Sequence, residues 1–144
     1  MVYIRTFTAG DSDAVVALWT DAGLTRPWND PVKDIWRKTT TQPEMFLIAE
    51  DDEGHVVGSA LAGYDGHRGW IHYLAVAASH RGTGLGTELV RRAESMLVEL
   101  GCPKVQLQVR PENTGVIEFY ERLGYATYQA VSMGKRLESD EIDL

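Results

Sequence analysis

Residues 74–89, Leu74-Ala75-Val76-Ala77-Ala78-Ser79-His80-Arg81-Gly82-Thr83-Gly84-Leu85-Gly86-Thr87-Glu88-Leu89, read as the end of a buried strand, a basic glycine-rich turn and the start of a long helix. Any fold built on them must lead a strand into a helix through a turn with few side chains. Such a turn leaves backbone N–H groups uncovered at a helix N-terminus, where the helix dipole also favours negative charge. A dinucleotide fingerprint would need a third glycine where Thr87 stands, and a P-loop would need a Gly-Lys-Ser/Thr that does not follow. What remains is Arg81-x-x-Gly84-x-Gly86, with room for a pyrophosphate against the backbone and positive charge from Arg81. From these residues alone a phosphate grip and a plain turn stay open alternatives.

The rest of the chain supplies the setting. Tyr3 to Phe7 alternates and predicts a first strand. Thr8 with Asp11 resembles a capping box opening a helix through Ala22, with Val15, Leu18, Trp19 and Ala22 on one face and Gly23 as its stop. Asp30 as N-cap and Pro31 at the first helical position open a second helix that fades near Thr40, its Val32, Ile35 and Trp36 facing the core. Met45–Glu50, Val56–Ala62 and Trp70–Val76 predict three strands joined by tight turns, an antiparallel meander. The helix after the glycine turn carries Leu85, Leu89, Ala93, Met96 and Leu100 and ends at Gly101. Lys104–Val109 is a strand parallel to its predecessor, because a helix joins them. Asn113–Leu123 is a helix with Val116, Ile117, Tyr120 and Leu123 apolar and Gly124 as its stop. Tyr125–Val131 and Met133–Leu137 complete the strands, and Glu138–Leu144 reads as a frayed acidic tail. The order β-α-α-β-β-β-α-β-α-β-β describes an α/β (α+β) single domain over residues 1–144, with a mixed sheet and helices on both faces.

Composition narrows the function. A net charge of −7 argues against non-specific nucleic-acid binding, which depends on Lys and Arg neutralising phosphates. No apolar run approaches the ~18 residues of a membrane span. The N-terminus lacks a signal-peptide layout, and the single Cys102 fits a reducing compartment, so the expected location is cytoplasmic. Four scattered histidines and one cysteine show no metal-ligand spacing, so no metal is expected.

Two motifs carry a resemblance over nearly the whole chain. Arg81-x-x-Gly84-x-Gly86 after Leu74-Ala75-Val76 resembles the acetyl-CoA signature of the GCN5-related N-acetyltransferase (GNAT) family. Asn113-Thr114-Gly115-Val116-Ile117-Glu118-Phe119-Tyr120-Glu121-Arg122-Leu123-Gly124-Tyr125 is similar to that family's Asn-x-x-Ala-x-x-Phe-Tyr-Glu-x-Leu-Gly-Phe pattern, with Gly115-Val116 as a mild departure. Arg26–Pro31 and Gly63–Gly69 further resemble a small bacterial branch, the YpeA-like acetyltransferases. The resemblance implies a sheet of about seven strands, with acetyl-CoA in a cleft between splayed fourth and fifth strands. It implies that the backbone of Leu74, Ala75 and Val76 pairs with the pantetheine arm and the acetyl carbonyl. It likewise implies that Arg81, Gly82, Thr83, Gly84, Leu85 and Gly86 take the pyrophosphate, and that Asn113 contacts the pantetheine. It puts Tyr120 near the thioester sulfur, and relatives that pair through C-terminal strands make a homodimer one open assembly.

The expected chemistry is direct acetyl transfer to a primary amine, either a small molecule or a peptide N-terminus. Tyr120 is the candidate acid, since a phenol titrating near pH ~10 keeps its proton at neutral pH and could give it to a departing thiolate. Where relatives carry a Glu on the fourth or fifth strand, this chain has Trp70 and Gln108. His72, two residues from Trp70 on the same strand face, is the remaining candidate base. A histidine that merely fills a strand face, and Tyr120 as a plain core aromatic, are the alternatives. Asp30, Asp65 and His67 are weaker candidate bases, Cys102 reads as a passive small residue, and Trp28 is a candidate wall of the acceptor pocket. A non-catalytic acyl-CoA-sensing module on the same fold is the rival function.

Overall fold

The computed structural model of the chain describes residues 1–141. Five strands, β1 (Val2–Thr6), β2 (Phe46–Asp51), β3 (Val56–Tyr64), β4 (Gly69–Val76) and β5 (Val105–Gln106), lie side by side in chain order. The first three pairings are antiparallel and β4–β5 is parallel, so the meander and the crossover fall where the sequence puts them. The four helices are α1 (Ser12–Asp21), α2 (Pro31–Thr39), α3 (Leu85–Glu99) and α4 (Thr114–Arg122).

Alternation along the strands divides the apolar residues between two cores, one on each sheet face. Met45, Leu47 and Ala49 join Leu85, Leu89, Val90, Ala93 and Leu97 of α3 and Tyr120 of α4. Phe46 and Ile48 join Val15, Leu18 and Trp19 of α1 and Ile35 of α2. Local signals set the ends of the helices. The Asp30 carboxylate accepts from the Val32 and Lys33 N–H groups to cap α2, and Gly23, Gly101 and Gly124 follow α1, α3 and α4 with positive φ.

Four expectations need correction. Val32 and Trp36 do not face the core, and Trp36 is 72% exposed. The side of α2 turned to the sheet is taken by polar reach instead, with Lys38 Nζ donating to the Ala62 carbonyl at 2.5 Å and Asp34 accepting from the Tyr73 hydroxyl at 2.6 Å. The fifth strand is two residues long rather than Lys104–Val109, although Leu107 and Val109 still pack on the α3 core. Residues 125–137 form no strand among the described residues, so the sheet has five strands rather than seven. Val131, Met133 and Leu137 are 89%, 90% and 91% exposed, and β5 stops too early to offer an edge for them to extend. The stretch expected to fray is anchored at Asp140, whose side chain is enclosed. It accepts from Arg37 at 2.6 and 3.1 Å and from the Asp30 N–H at 2.9 Å. Residues 142–144 of that tail lie outside the described residues.

Candidate active site

The glycine turn comes first because it limits what can bind. After a single 3₁₀ turn at Ala78–His80, Gly82 and Gly84 take φ of 77° and 89°, a region where a Cβ would be strained. Gly84 is the N-cap of α3 and lends no side chain to it. Beyond the turn, the Glu88 N–H is the first to find a backbone partner among the described residues, the Gly84 carbonyl. Among the described residues, none of the N–H groups from Gly82 to Thr87 donates to a protein acceptor. A run of free donors at the positive end of a helix of 15 residues favours negative charge. Thr83 Oγ1 donates to the His80 carbonyl at 2.5 Å and Arg81 Nε to the Val76 carbonyl at 3.3 Å, which hold the turn against the end of β4.

Beside this turn runs an open strand edge. The β4–β5 pairing consists of Gly69↔Val105 and Trp70↔Gln106, so from Ile71 to Val76 the side of β4 away from β3 has no strand partner among the described residues. That edge is also kinked. Ser59 pairs with Ala75 and Leu61 with His72, which places one extra residue in β4. The bulge centres on Tyr73, a non-glycine residue at φ 51°. Leu74 and Val76 turn toward the α3 core, whereas Tyr73 and Ala75 turn toward α1.

Helix α4 closes the other side. Gly86 lets it in close, since a Cβ there would lie 3.4 Å from Phe119 and 3.7 Å from Val76. The end of β4, the start of α3 and the middle of α4 therefore meet around one residue without a side chain. Asn113 caps α4 by its main chain only, and among the described residues its exposed amide side chain has no hydrogen-bond partner. Tyr120 is 7% exposed, edge-on to Phe119 and Tyr125. Its hydroxyl has no hydrogen-bond partner among the described residues, yet no fully buried polar side-chain atom goes unpaired, so that oxygen keeps solvent access. Burial raises the phenol above its ordinary pKa, which keeps it protonated far into the alkaline range.

His72 stands on the opposite sheet face. Its ring lies parallel to that of Trp70, as the strand periodicity requires, on the side where α2 brings Lys38 and Asp34. Solvent reaches His72, but loss of hydration and then the Lys38 charge lower its pKa, with Asp34 opposing. The imidazole is neutral at pH 7. Tyr120, in the α3-side core, and His72, on the α2 side, thus belong to opposite faces of the sheet.

The weaker candidates have structural duties. Asp65 closes its turn by accepting from the His67 and Arg68 N–H groups and from Trp70 Nε1. Asp30 caps α2, and Cys102 Sγ contacts the Lys104 carbonyl at the far end of β4. Gln108 pairs with Ser132. Trp28 is half-exposed on the loop before α2. Asp51, Glu53 and His55 cluster at the β2–β3 turn, where Asp51 is already accepting from the N–H groups of the other two. Periodicity missed Tyr73, Ser59, Asp34 and Asp140, because their partners are distant in sequence; only Ser59, a hydroxyl inside an apolar strand, hinted at one.

Comparison with known proteins fits this geometry. The acetyltransferase (GNAT) family model matches residues 13–125. An acetyltransferase of Pectobacterium atrosepticum is 47% identical over 137 residues, spanning 95% of this chain and 96% of that protein. AAC(6')-Iy, solved with the bisubstrate analogue CoA-S-monomethyl-acetylneamine, superposes with a TM-score of 0.77 at 18% identity over 94% of this chain and 98% of that one. The NatC complex bound to Gag peptide and CoA gives 0.76 at 23% identity over 89% and 86%. A family match across most of the chain and near-full-length similarity to an acetyltransferase show that this chain belongs to the GNAT family of acetyltransferases.

Proposed function

We propose that the protein moves an acetyl group directly from acetyl-CoA to a primary amine, in a ternary complex formed at the free edge of β4. The observation that carries this reading is the run of unpartnered N–H groups from Gly82 to Thr87 at the start of α3, next to that edge. These donors fit a pyrophosphate, and the small residues let it come close. The unpaired edge at Leu74, Ala75 and Val76 fits an amide-bearing arm that lies along a strand like a neighbour, and the unbonded Asn113 amide fits the same arm. When bound, acetyl-CoA supplies an acetyl group activated as a thioester and a thiolate that must leave.

The side chains divide the proton traffic. Tyr120, whose ring is buried and whose pKa burial raises, holds its proton and gives it to the departing sulfur. His72, neutral and on the face toward α2, takes the proton that the attacking amine loses. Trp70 and Gln108, at the places the family resemblance assigns to a Glu, offer no carboxylate, and the nearby Asp34 is engaged with the Tyr73 hydroxyl and Arg37. The acceptor is a small-molecule amine or a peptide N-terminus. Calorimetry with acetyl-CoA followed by thiol release across a panel of amines and peptides tests the reading. Binding with amine-dependent release supports it. Binding without release on any amine would instead favour an acyl-CoA sensor, and absence of binding would overturn both.

A further inference from the structure

Tyr73 is held in its left-handed conformation from three directions. Its ring stacks on Trp19 with centroids 3.8 Å apart. Its carbonyl accepts from Ser59 Oγ at 2.8 Å, and that hydroxyl in turn accepts from Trp19 Nε1 at 2.9 Å; Ser59 and Trp19 are both fully enclosed. Its phenol donates to Asp34 at 2.6 Å, and burial keeps it protonated as a donor. A non-glycine residue with positive φ persists only where its surroundings over-determine it.

The third of these supports extends to the other end of the chain. Asp34 also accepts from Arg37 at 2.8 Å, and Arg37 donates to Asp140 at 2.6 and 3.1 Å. The same Asp140 takes the Asp30 N–H at the start of α2. Arg136 pairs with Asn29, whose side chain also lies against the Tyr73 phenol. Two charged residues of the C-terminal segment therefore converge on the phenol through neighbours separated from them by more than 100 positions, 103 in the case of Arg37 and Asp140. The pair is costly to break one-sidedly, because Asp140 is enclosed and would keep only Arg136, at 3.7 Å, as a cation.

We propose that Asp140 is a positioning residue for acetyl transfer: through Arg37 and Asp34 it fixes the Tyr73 phenol, and so the bulge that sets the direction of the β4 edge beside His72. The proposal rests on the reading of that edge as the site of transfer. Docking of the C-terminal segment then acts on the catalytic step more than on pyrophosphate capture, because the glycine turn lies beyond the bulge and has its own bonds.

The test is a double-mutant cycle on the full chain with Asp140→Asn, Tyr73→Phe and the pair. It measures kcat, acceptor KM and acetyl-CoA affinity on the best amine from the panel. Asp140→Asn is expected to lower kcat about tenfold, in line with the cost of small misplacements of reacting groups, while leaving acetyl-CoA affinity within twofold. Tyr73→Phe keeps the Trp19 stack and should lower kcat similarly, and the double variant should be no slower than the worse single, because both cut one line of contacts. Multiplicative losses, or wild-type kcat in Asp140→Asn, would overturn the proposal. If Asp140→Asn fails to fold, Arg37→Lys replaces it in the cycle with the same criterion. A wild-type protein that transfers to no amine would refute the transfer reading itself, a result distinct from any outcome of the cycle.

Discussion

Tyr120 and His72 are pushed in opposite protonation senses by their surroundings, and both pushes suit transfer. The phenol is raised by burial, so it remains an acid throughout the range in which amines become nucleophilic. Tyr120→Phe is expected to lower kcat about 100-fold, the lower end for loss of a positioned acid, with acetyl-CoA affinity unchanged by calorimetry. No alkaline loss of kcat from this group should appear below pH ~10, the ordinary range of tyrosine. His72 is lowered by desolvation and by Lys38, so its base form survives to pH values below the ordinary ~6.5. The acidic limb of kcat/KM should therefore have its midpoint below pH ~6.5, and His72→Gln should flatten it. A midpoint above that value, or an unchanged limb in the variant, would remove His72 from the reaction.

The elements differ in how openly the sequence announces them. Helices α1, α3 and α4 were legible because their apolar spacing and terminal glycines agree, and the meander because alternating runs are separated by turn residues. The bulge in β4 was not legible. Trp70 to Val76 carries no glycine or turn residue, and a left-handed tyrosine follows only from the distant partners Ser59, Trp19 and Asp34. The exposure of Val32 and Trp36 was hidden for a related reason: Asp34 and Lys38, polar by composition, are the residues that reach the sheet. The glycines give an element-level contrast. Gly84→Ala puts a Cβ at φ 89° and should cost about 1–2 kcal/mol in thermal unfolding, with at least tenfold weaker acetyl-CoA binding. Gly115→Ala, inside α4 with nothing near its Cβ position and no positive φ, should instead stabilise by about 0.5–1 kcal/mol.

Across the whole molecule, charge ties together segments that the sheet alone does not. Arg5 on β1 donates to both oxygens of Asp11 before α1 and to Glu50 on β2. The Arg5 bonds hold the Asp11 carboxyl at about 2, below its ordinary value of 3.8. A depressed acid stabilises the fold fully above its unfolded pKa, and that stability fades as pH falls through the folded one. Asp11→Asn should thus cost about 1–2 kcal/mol near pH 7 in denaturant titrations, and that difference should shrink toward zero between pH ~4 and ~2. Asp140 extends the same pattern to the C-terminal segment, where composition alone suggested an unattached acidic end. No helix among the described residues is long and apolar enough to cross a membrane. On the proposed function, the bound cofactor is expected along the unpaired edge of β4 beyond Trp70, with the amine approaching from the His72 side. The most direct measurement is release of free thiol from acetyl-CoA across the amine and peptide panel, with the acceptor weighed by mass spectrometry. Direct transfer predicts amine-dependent release matched one-for-one by an N-acetylated acceptor. Tight acetyl-CoA binding with no amine-dependent release, or release accompanied by an acetylated enzyme in place of an acetylated amine, would contradict it.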